Sequence, residues 1–239
     1  LVGSEMCIRD RDHDMILRLT DRAEKIVHVP RLMYYWRSHE GSTAASIDAK
    51  PYAIEAAKGA VADHLKKHGF KHFKITSTRA CATIFRIRYQ ILGDPKISIV
   101  IANKYHVEDL KRCITSIQKN STWSNYEIIV VENNSTTPEI KDYYSQLLGL
   151  SGDDSYEERC KLHTVCGHDG GILHSGDGRI SIVTYHGDFN YSAVNDLGAS
   201  YVSGEYILLL NNDTEVITAN WMEEMLMYAQ REDVGAVGA

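Results

Sequence analysis

Short apolar runs alternate with amphipathic helical segments over residues 97–239, and this alternation constrains the fold more than any other feature of the sequence. Apolar residues at every third or fourth position predict the helices, and the runs between them are typical of buried strands. Strands separated by helices of this length pair in parallel, with right-handed crossovers. The sequence therefore predicts an α/β fold with a mostly parallel sheet and flanking helices. The strands are expected at residues 97–101, 127–131, 162–165, 180–184 and 206–210.

The first 95 residues show a different order of elements. The spacing of apolar residues predicts a helix over residues 12–22, and a second helix that has Asp48 as its N-cap and ends before Gly69. Gly93, Asp94 and Pro95 then interrupt the chain as a linker would. A smaller α+β fragment is therefore expected to precede the α/β part. Its strand-like runs are residues 25–30, 32–37 and 83–91.

Charge divides the chain at the same point. Residues 1–95 carry 16 Lys and Arg against 11 Asp and Glu, whereas residues 96–239 carry 10 against 21. Such a contrast indicates two units of separate character. The sequence has no basic stripe with interleaved aromatic residues, so we expect no nucleic-acid partner. An acidic second half that bound phosphate would need a cation as a bridge, because carboxylates repel phosphate.

Apolar runs and cysteines bear on the compartment. The longest apolar runs fall far short of the roughly 20 residues that a membrane-spanning helix needs, so we expect a soluble chain with no membrane span. The five cysteines are odd in number and scattered, as reduced thiols are. Residues 1–11 lack the apolar core of a signal peptide and resemble translated adaptor sequence, which predicts a non-native leader. We expect a cytoplasmic protein, with any membrane association peripheral and at the inner face.

Polar side chains follow three of the predicted strands. Asn103 follows the first, Glu132 the second, and Asn211 and Asp213 follow the most apolar one. Because ligands of open parallel sheets bind at the carboxyl ends of the strands, we expect an oxygen-rich pocket there, with Asn103 as a substrate-binding residue. Such oxygens suit Mg²⁺ or Mn²⁺. Each segment taken alone fits ordinary turn chemistry better, and only their coincidence at one sheet edge favours a site. No Gly-x-Gly-x-x-Gly follows the first strand, which argues against a dinucleotide site.

Four stretches between residues 95 and 239 follow a recognisable pattern, at residues 97–101, 129–136, 189–195 and 204–213. On these stretches, the chain from residue 95 to residue 239 resembles the donor-binding half of a family 2 glycosyltransferase of GT-A fold. The resemblance implies that Glu132 lies beside the base and ribose of a nucleotide-sugar donor and that Asn195 lines the donor pocket. Asn211 and Asp213 occupy the place of the Asp-x-Asp metal motif, for Mg²⁺ or Mn²⁺. Asn211 stands where the family usually has an Asp, and losing that carboxylate weakens the charge that holds a divalent ion.

Residues 12–69 resemble the acceptor-side half of a preceding copy of the same family. Residues 12–19 look like the acidic motif whose first Asp, here Asp12, acts as the catalytic base. Residues 35–39 look like the segment whose histidine, here His39, completes the metal shell, with Arg37 near the diphosphate. On the residues alone, Asp12 is equally a helix N-cap and His39 a plain loop histidine.

The two resemblances together imply a junction between two transferase units. Residues 12–92 would be the C-terminal, acceptor-side fragment of a first unit plus a linker, and residues 93–239 the N-terminal, nucleotide-sugar-binding half of a second. The implied reaction transfers a sugar, with inversion, from a nucleotide-diphosphate sugar donor to a glycan or lipid-linked acceptor. Such arrangements occur in multi-unit enzymes that build rhamnose-rich or similar surface polysaccharides. Because neither unit is complete, we expect little or no turnover from this chain alone.

Three alternatives stay open on the sequence. A non-catalytic scaffold that binds nucleotide or sugar would account for the missing Asp at position 211. A nucleotidyltransferase shares a similar sheet and metal requirement, but the Gly-rich basic loop that it usually shows after the first strand is absent. The third alternative is a zinc site in a loop that is otherwise a solvated insertion. Its candidate ligands are Cys160, His163, Cys166, His168 and His174.

Overall fold

The computed structural model describes residues 11–35, 51–152, 154–165 and 171–238. The chain divides into two compact units, Leu1–Gln90 (unit 1) and Ile91–Ala239 (unit 2). Arg37 and His39 lie outside the described residues, as do Asp48 and nearly all of the expected leader. No helix in the described ranges combines the length and the apolar character that crossing a bilayer requires.

The described residues of unit 1 form two helices and a two-stranded antiparallel sheet. The strands predicted at residues 25–30 and 32–37 are wrong over the part described, since residues 25–35 form no strand there. Ile26, Val27 and Leu32 are exposed, and an apolar run without a neighbouring strand has no backbone partner to stabilise it. The elements are α1 (Arg11–Thr20), α2 (Pro51–Lys67), β1 (Phe73–Ser77) and β2 (Phe85–Tyr89).

The end of α2 is set by a glycine. Gly69 adopts φ +89°, a left-handed conformation that L side chains avoid, and the Phe70 amide donates to the Leu65 carbonyl at 3.0 Å. Ala60 and Leu65 are buried, so one face of α2 lies against the rest of the unit. α1 packs against α2.

Unit 2 is built around a five-stranded sheet in the order β5-β6-β4-β3-β7, in which only β5 is antiparallel to its neighbour. The predicted α/β fold with a mostly parallel sheet is thereby confirmed. Its strands are β3 (Ile97–Asn103), β4 (Tyr126–Glu132), β5 (Ile172–His174), β6 (Ile180–Thr184) and β7 (Tyr206–Asn211). Its helices are α3 (Val107–Asn120), α4 (Pro138–Leu148), α5 (Tyr156–Val165), α6 (Tyr191–Ala199) and α7 (Trp221–Ala229).

The strand predicted at residues 162–165 is wrong, because these residues form the last turn of α5. The hydroxyl of Ser155 accepts a hydrogen bond from the Glu158 amide at 3.3 Å, and Glu157 and Glu158 lie in the first turn. Both features favour a helix start at this position. A four-residue apolar run is too short to outweigh them.

The central strands of unit 2 are buried on both faces. Every residue of β4 is buried, and so is all of β3 except Ala102. One face packs against α3, α4 and α7, and the other against α6. A Cβ at Gly198 of α6 would lie 2.4 Å from Val100 Cγ1 and 2.8 Å from Val131 Cγ2, so α6 approaches the sheet at a distance that only glycine allows.

Candidate functional site

The register of the parallel strands brings their carboxyl ends to one edge of the sheet. Asn103 pairs with Glu132, Glu132 pairs with Thr184, and Ala102 pairs with Asn211. Residues that directly follow β3, β4, β6 and β7 therefore meet at this edge, where open parallel sheets bind their ligands. We call it the strand-end site.

A hydrogen-bonded network occupies the middle of the strand-end site. Glu132 is only 3% exposed. Its Oε2 accepts from the Tyr144 hydroxyl, and its Oε1 accepts from the Ser135 amide. Asn103 Nδ2 donates to the same Tyr144 hydroxyl at 2.9 Å, and Asn103 Oδ1 accepts from Asn212 Nδ2 at 2.7 Å. The network thus ties together the ends of three adjacent strands.

Burial raises the pKa of Tyr144 well above its ordinary value, and the neighbouring Glu132 carboxylate raises it further. The Tyr144 hydroxyl therefore stays protonated and donates a hydrogen bond to Glu132. A carboxylate with two fixed donors is held in one orientation, yet each of its oxygens has a second lone pair that can accept another hydrogen bond.

The loop after β4 is held to the loop after β6. Asn133 Nδ2 donates to the carbonyls of Tyr185 at 3.2 Å and Gly187 at 2.9 Å, and the Asn133 amide donates to the Asn103 carbonyl at 3.0 Å. Within the described structure, the buried Oδ1 of Asn133 has no hydrogen-bond partner. Since an unpaired buried acceptor is unfavourable, this oxygen is suited to accept a donor from a ligand or from water.

Asn211 and Asp213 lie on the rim of the strand-end site and are both exposed. Asn211 Oδ1 lies 3.4 Å from the Tyr191 hydroxyl, and the Asn211 carbonyl accepts from the Thr214 hydroxyl at 2.8 Å. Burial raises the pKa of the Cys113 thiol, and the charge of Asp213 adds a smaller rise. The Asp213 carboxylate is therefore close enough to the buried Cys113 to disfavour its ionisation.

Asn195 stands apart from the network. It is buried on α6, where its Nδ2 donates to the Tyr191 carbonyl at 2.8 Å, one turn earlier in the same helix. The structure therefore brings Asn103 and Glu132 together through Tyr144 and places Asn211 in the adjacent register, but Asn195 bonds within its own helix. Asp12 lies in the first turn of α1, in unit 1.

The donor set at the rim fits a hard divalent cation. The Asp213 carboxylate and the Asn211 amide oxygen are oxygen ligands, and Mg²⁺ or Mn²⁺ would take the remainder of its shell from water and substrate phosphates. Among the described residues, a group of three converging His, Cys, Asp or Glu ligands occurs only in unit 1. The rim formed by Asn211 and Asp213 therefore offers one carboxylate with an amide rather than a closed cage of carboxylates.

The described part of the zinc candidate loop has other partners. Cys160 lies on α5, where burial raises the pKa of its thiol and hydrogen bonds with Tyr156 and Thr184 oppose the rise. His174 Nδ1 lies 2.8 Å from Ser181 Oγ on the neighbouring strand. These two side chains do not share a group of three ligands within the described ranges. Cys166, His168 and the side chain of His163 lie outside those ranges.

The strand-end network lies in a segment that is similar to a family model. Residues 98–162 match the family model Glycosyl transferase family 2. This match runs from β3 into α5, so it includes Asn103, Glu132 and Tyr144.

Two longer bacterial proteins are similar to nearly the whole chain. The uncharacterized protein y4gI of Sinorhizobium fredii is 32% identical over 96% of this chain and 22% of its own length. The O-antigen biosynthesis protein RfbC of Myxococcus xanthus is 30% identical over 95% of this chain and 15% of its own length. The chain thus spans less than a quarter of either relative.

Among solved structures, the mannosyltransferase PcManGT from Pyrobaculum calidifontis, in complex with GDP-Man and Mn²⁺, is similar to the chain with a TM-score of 0.44. It is 11% identical, over 79% of this chain and 44% of that structure.

Three members of the strand-end network were not predicted from the sequence. Tyr144 occupies a helix position that any apolar residue could fill, and the only signal is that a buried tyrosine needs a partner for its hydroxyl. Asn133 and Asn212 lie in the polar segments that follow β4 and β7, where the sequence predicts an oxygen-rich pocket but assigns neither residue a contact. Their roles depend on the strand register, which the sequence pattern does not specify.

Proposed function

We propose that the whole protein is an inverting glycosyltransferase of GT-A fold that moves a sugar from a nucleotide-diphosphate donor to a growing glycan or lipid-linked acceptor. Unit 2 would be the donor-binding half of one transferase unit, and unit 1 the acceptor-side end of a preceding one. The relative that is named for O-antigen biosynthesis supports a place in surface polysaccharide synthesis.

One observation carries this proposal: the buried Asn103–Tyr144–Glu132 network lies at the strand edge of a segment that matches the family 2 model. A buried carboxylate is unfavourable unless it is fully hydrogen-bonded. Here both oxygens are held by internal donors and remain able to accept from a ribose hydroxyl. The unpaired Asn133 oxygen supplies a further acceptor close by in sequence.

We propose different roles for different residues of the strand-end site. Asn103 and Glu132 would bind the nucleoside, and Asn195 would line the pocket. Asp213 and Asn211 would hold Mg²⁺ or Mn²⁺, which as a Lewis acid neutralises a departing diphosphate. These residues bind and orient the donor, and orientation alone lowers a barrier by several kcal/mol.

The proton transfer belongs to the acceptor side. As the acceptor oxygen bonds to the anomeric carbon and the bond to the diphosphate breaks, a carboxylate must take the hydroxyl proton. For the preceding transferase unit, to which unit 1 would belong, we propose Asp12 for this step, with Arg37 near the diphosphate of that unit's own donor and His39 toward its own metal.

A non-catalytic scaffold that binds nucleotide or sugar is the second candidate. It is favoured by Asn211, which supplies an amide where the family motif has a carboxylate. A scaffold would keep the fold and the binding of its ligand without transferring sugar.

Turnover by the whole protein with a panel of sugar nucleotides tests the proposal. Asp213→Ala should abolish most of the turnover supported by Mn²⁺, because the rim then has no carboxylate. Asp142→Ala, which removes an exposed carboxylate on α4 of the same unit, is the matched control and should retain activity. Loss of turnover in both variants, or in neither, would refute the role of Asp213.

Binding of nucleoside diphosphates separates the enzyme from the scaffold. Isothermal titration of the 239-residue chain with UDP, GDP and dTDP, in the presence of Mn²⁺, should show weak binding that Glu132→Gln weakens further. Binding without any turnover by the whole protein would favour the scaffold. No binding and no turnover would eliminate both candidates.

A further inference from the structure

Three potential metal ligands converge in unit 1, and none of them is assigned a role in the proposed transferase reaction. They are Asp21, which follows α1, and His64 and His68 of α2 and its end. The ligand atoms of all three lie within 4.8 Å of one another. Histidines four residues apart lie on the same face of a helix, and here that face meets the end of α1.

The geometry is close to that of a coordinated ion. Asp21 Oδ1 lies 2.8 Å from His68 Nε2 and 3.3 Å from His64 Nδ1. Bonds of about 2.0–2.1 Å in a tetrahedral zinc site place ligand atoms about 3.3 Å apart. Small side-chain shifts would therefore bring the three atoms around one ion, with a position left for water.

Lys67 holds the carboxylate in place for this arrangement. Its Nζ lies 2.5 Å from Asp21 Oδ2, which leaves Oδ1 directed toward the two histidines. The Asp21 side chain is only 6% exposed, so its orientation is fixed by these partners rather than by solvent. A hydrogen-bonded outer partner of this kind orients ligands in metal sites.

We propose that Asp21, His64 and His68 form a zinc site that connects the end of α1 to the end of α2. Two imidazole nitrogens and one carboxylate oxygen are ligands that Zn²⁺ prefers, whereas Mg²⁺ and Ca²⁺ prefer oxygen alone. The site is separate from the strand-end site of unit 2, and the proposal does not depend on the transferase assignment. Its role is structural, since an ion bound only by folded unit 1 stabilises that unit.

Zinc binding to the tag-free 239-residue chain tests the proposal. Titration with ZnCl₂ in excess MgCl₂, which saturates oxygen-rich sites, should give one zinc per chain. His68→Gln and Asp21→Asn should each weaken that binding by at least about tenfold. His72→Gln removes an exposed histidine of the same unit outside the cluster, and it should leave the affinity unchanged.

The competing zinc loop has its own control. Cys160→Ser should leave the stoichiometry at one zinc per chain if the ion lies in unit 1. Zinc that persists in His68→Gln but is lost in Cys160→Ser would overturn the proposal in favour of the loop around residues 160–174. A chain that binds no zinc would overturn it as well.

Histidine NMR of the unmodified chain gives a readout that does not depend on whether a variant folds. In ¹⁵N-labelled protein, ZnCl₂ should shift the Nδ1 signal of His64 and the Nε2 signal of His68, the two atoms that face Asp21. The His72 signals should not move. Zinc-induced shifts confined to other histidines would contradict the assignment.

Discussion

We predict that the buried charge of Glu127 stabilises unit 2. Its carboxylate lies at the edge of the sheet opposite the strand-end site, where Oε2 accepts from Lys96 Nζ at 2.7 Å and Oε1 accepts from Ser98 Oγ at 2.6 Å. Oε1 also accepts from the Ser203 amide at 2.7 Å. The carboxylate thereby joins the starts of β3 and β4 to the turn that leads into β7. Glu127→Gln keeps the shape of this side chain and removes its charge.

The magnitude follows from the pKa of Glu127. Burial opposes ionisation, but the hydrogen bonds from Lys96, Ser98 and Ser203 outweigh it and lower the pKa from 4.5 to about 2. At about 1.4 kcal/mol per pKa unit, the ionised carboxyl contributes about 3 kcal/mol to the free energy of unfolding at pH 7. Because the pKa is lowered in the folded state, this contribution is complete above pH 4.5 and is lost as the pH falls toward about 2.

Urea unfolding from pH 7 to pH 3, followed by tryptophan fluorescence, measures the effect. A Trp36→Phe background leaves Trp123 and Trp221, both in unit 2, as the probes. Glu127→Gln should lose about 3 kcal/mol at pH 7, and its difference from the parent should shrink below pH 4.5. Glu139→Gln, at an exposed position of α4, should change stability little. A difference of similar size at pH 7 and pH 3 would refute the electrostatic explanation.

Three further substitutions in unit 2 are each measured by urea unfolding at pH 7, with Tyr143→Phe as a control and Gly59→Ala in unit 1 as a second glycine for comparison. Gly198→Ala should destabilise by about 1–3 kcal/mol, because its Cβ would overlap two valines of the sheet. Gly59→Ala in α2, where a Cβ meets nothing within 4 Å, should instead stabilise by up to about 1 kcal/mol. Tyr144→Phe should lose about 1–3 kcal/mol by leaving buried polar groups of the network unpaired, whereas Tyr143→Phe should lose less. Asn190→Ala should lose about 1 kcal/mol, since its side chain caps α6 by accepting from the Ala193 amide.

The apolar character of its strands made most of the sheet of unit 2 predictable from the sequence. The strands at residues 97–101, 127–131, 180–184 and 206–210 are near-continuous apolar runs, and the structure extends three of them by one or two residues. β1 and β5 were missed, because β1 carries only two large apolar side chains and β5 has three residues in all. A strand that short owes its existence to the neighbour that it pairs with, and the sequence of the segment does not show that neighbour.

The sequence predicts where the strand-end site lies on the sheet, but it does not predict the hydrogen bonds within the site. Parallel topology alone requires the residues after β3, β4 and β7 to share an edge, and the register of Asn103 with Glu132 agrees with this expectation. Asn103 and Glu132 are connected by two hydrogen bonds that share the Tyr144 hydroxyl. Tyr144 lies more than ten residues beyond Glu132, on a helix whose apolar spacing predicts only packing. Asn195 shows the limit of the approach, because a polar residue on a helix can bond within that helix. The roles of these residues in binding stay predictions.

The contrast between Glu132 and Asp213 bears on how a ligand would bind. Glu132 is buried with both oxygens held by internal donors, so a ligand that bonds to it meets a group that is already ordered. Asp213 is exposed in the turn after β7, so a cation bound there must order the side chain. Preordered groups contribute more to affinity because less conformational entropy is lost on binding. We therefore expect nucleoside contacts at the end of β4 to account for more of the donor affinity than the carboxylate on the rim does.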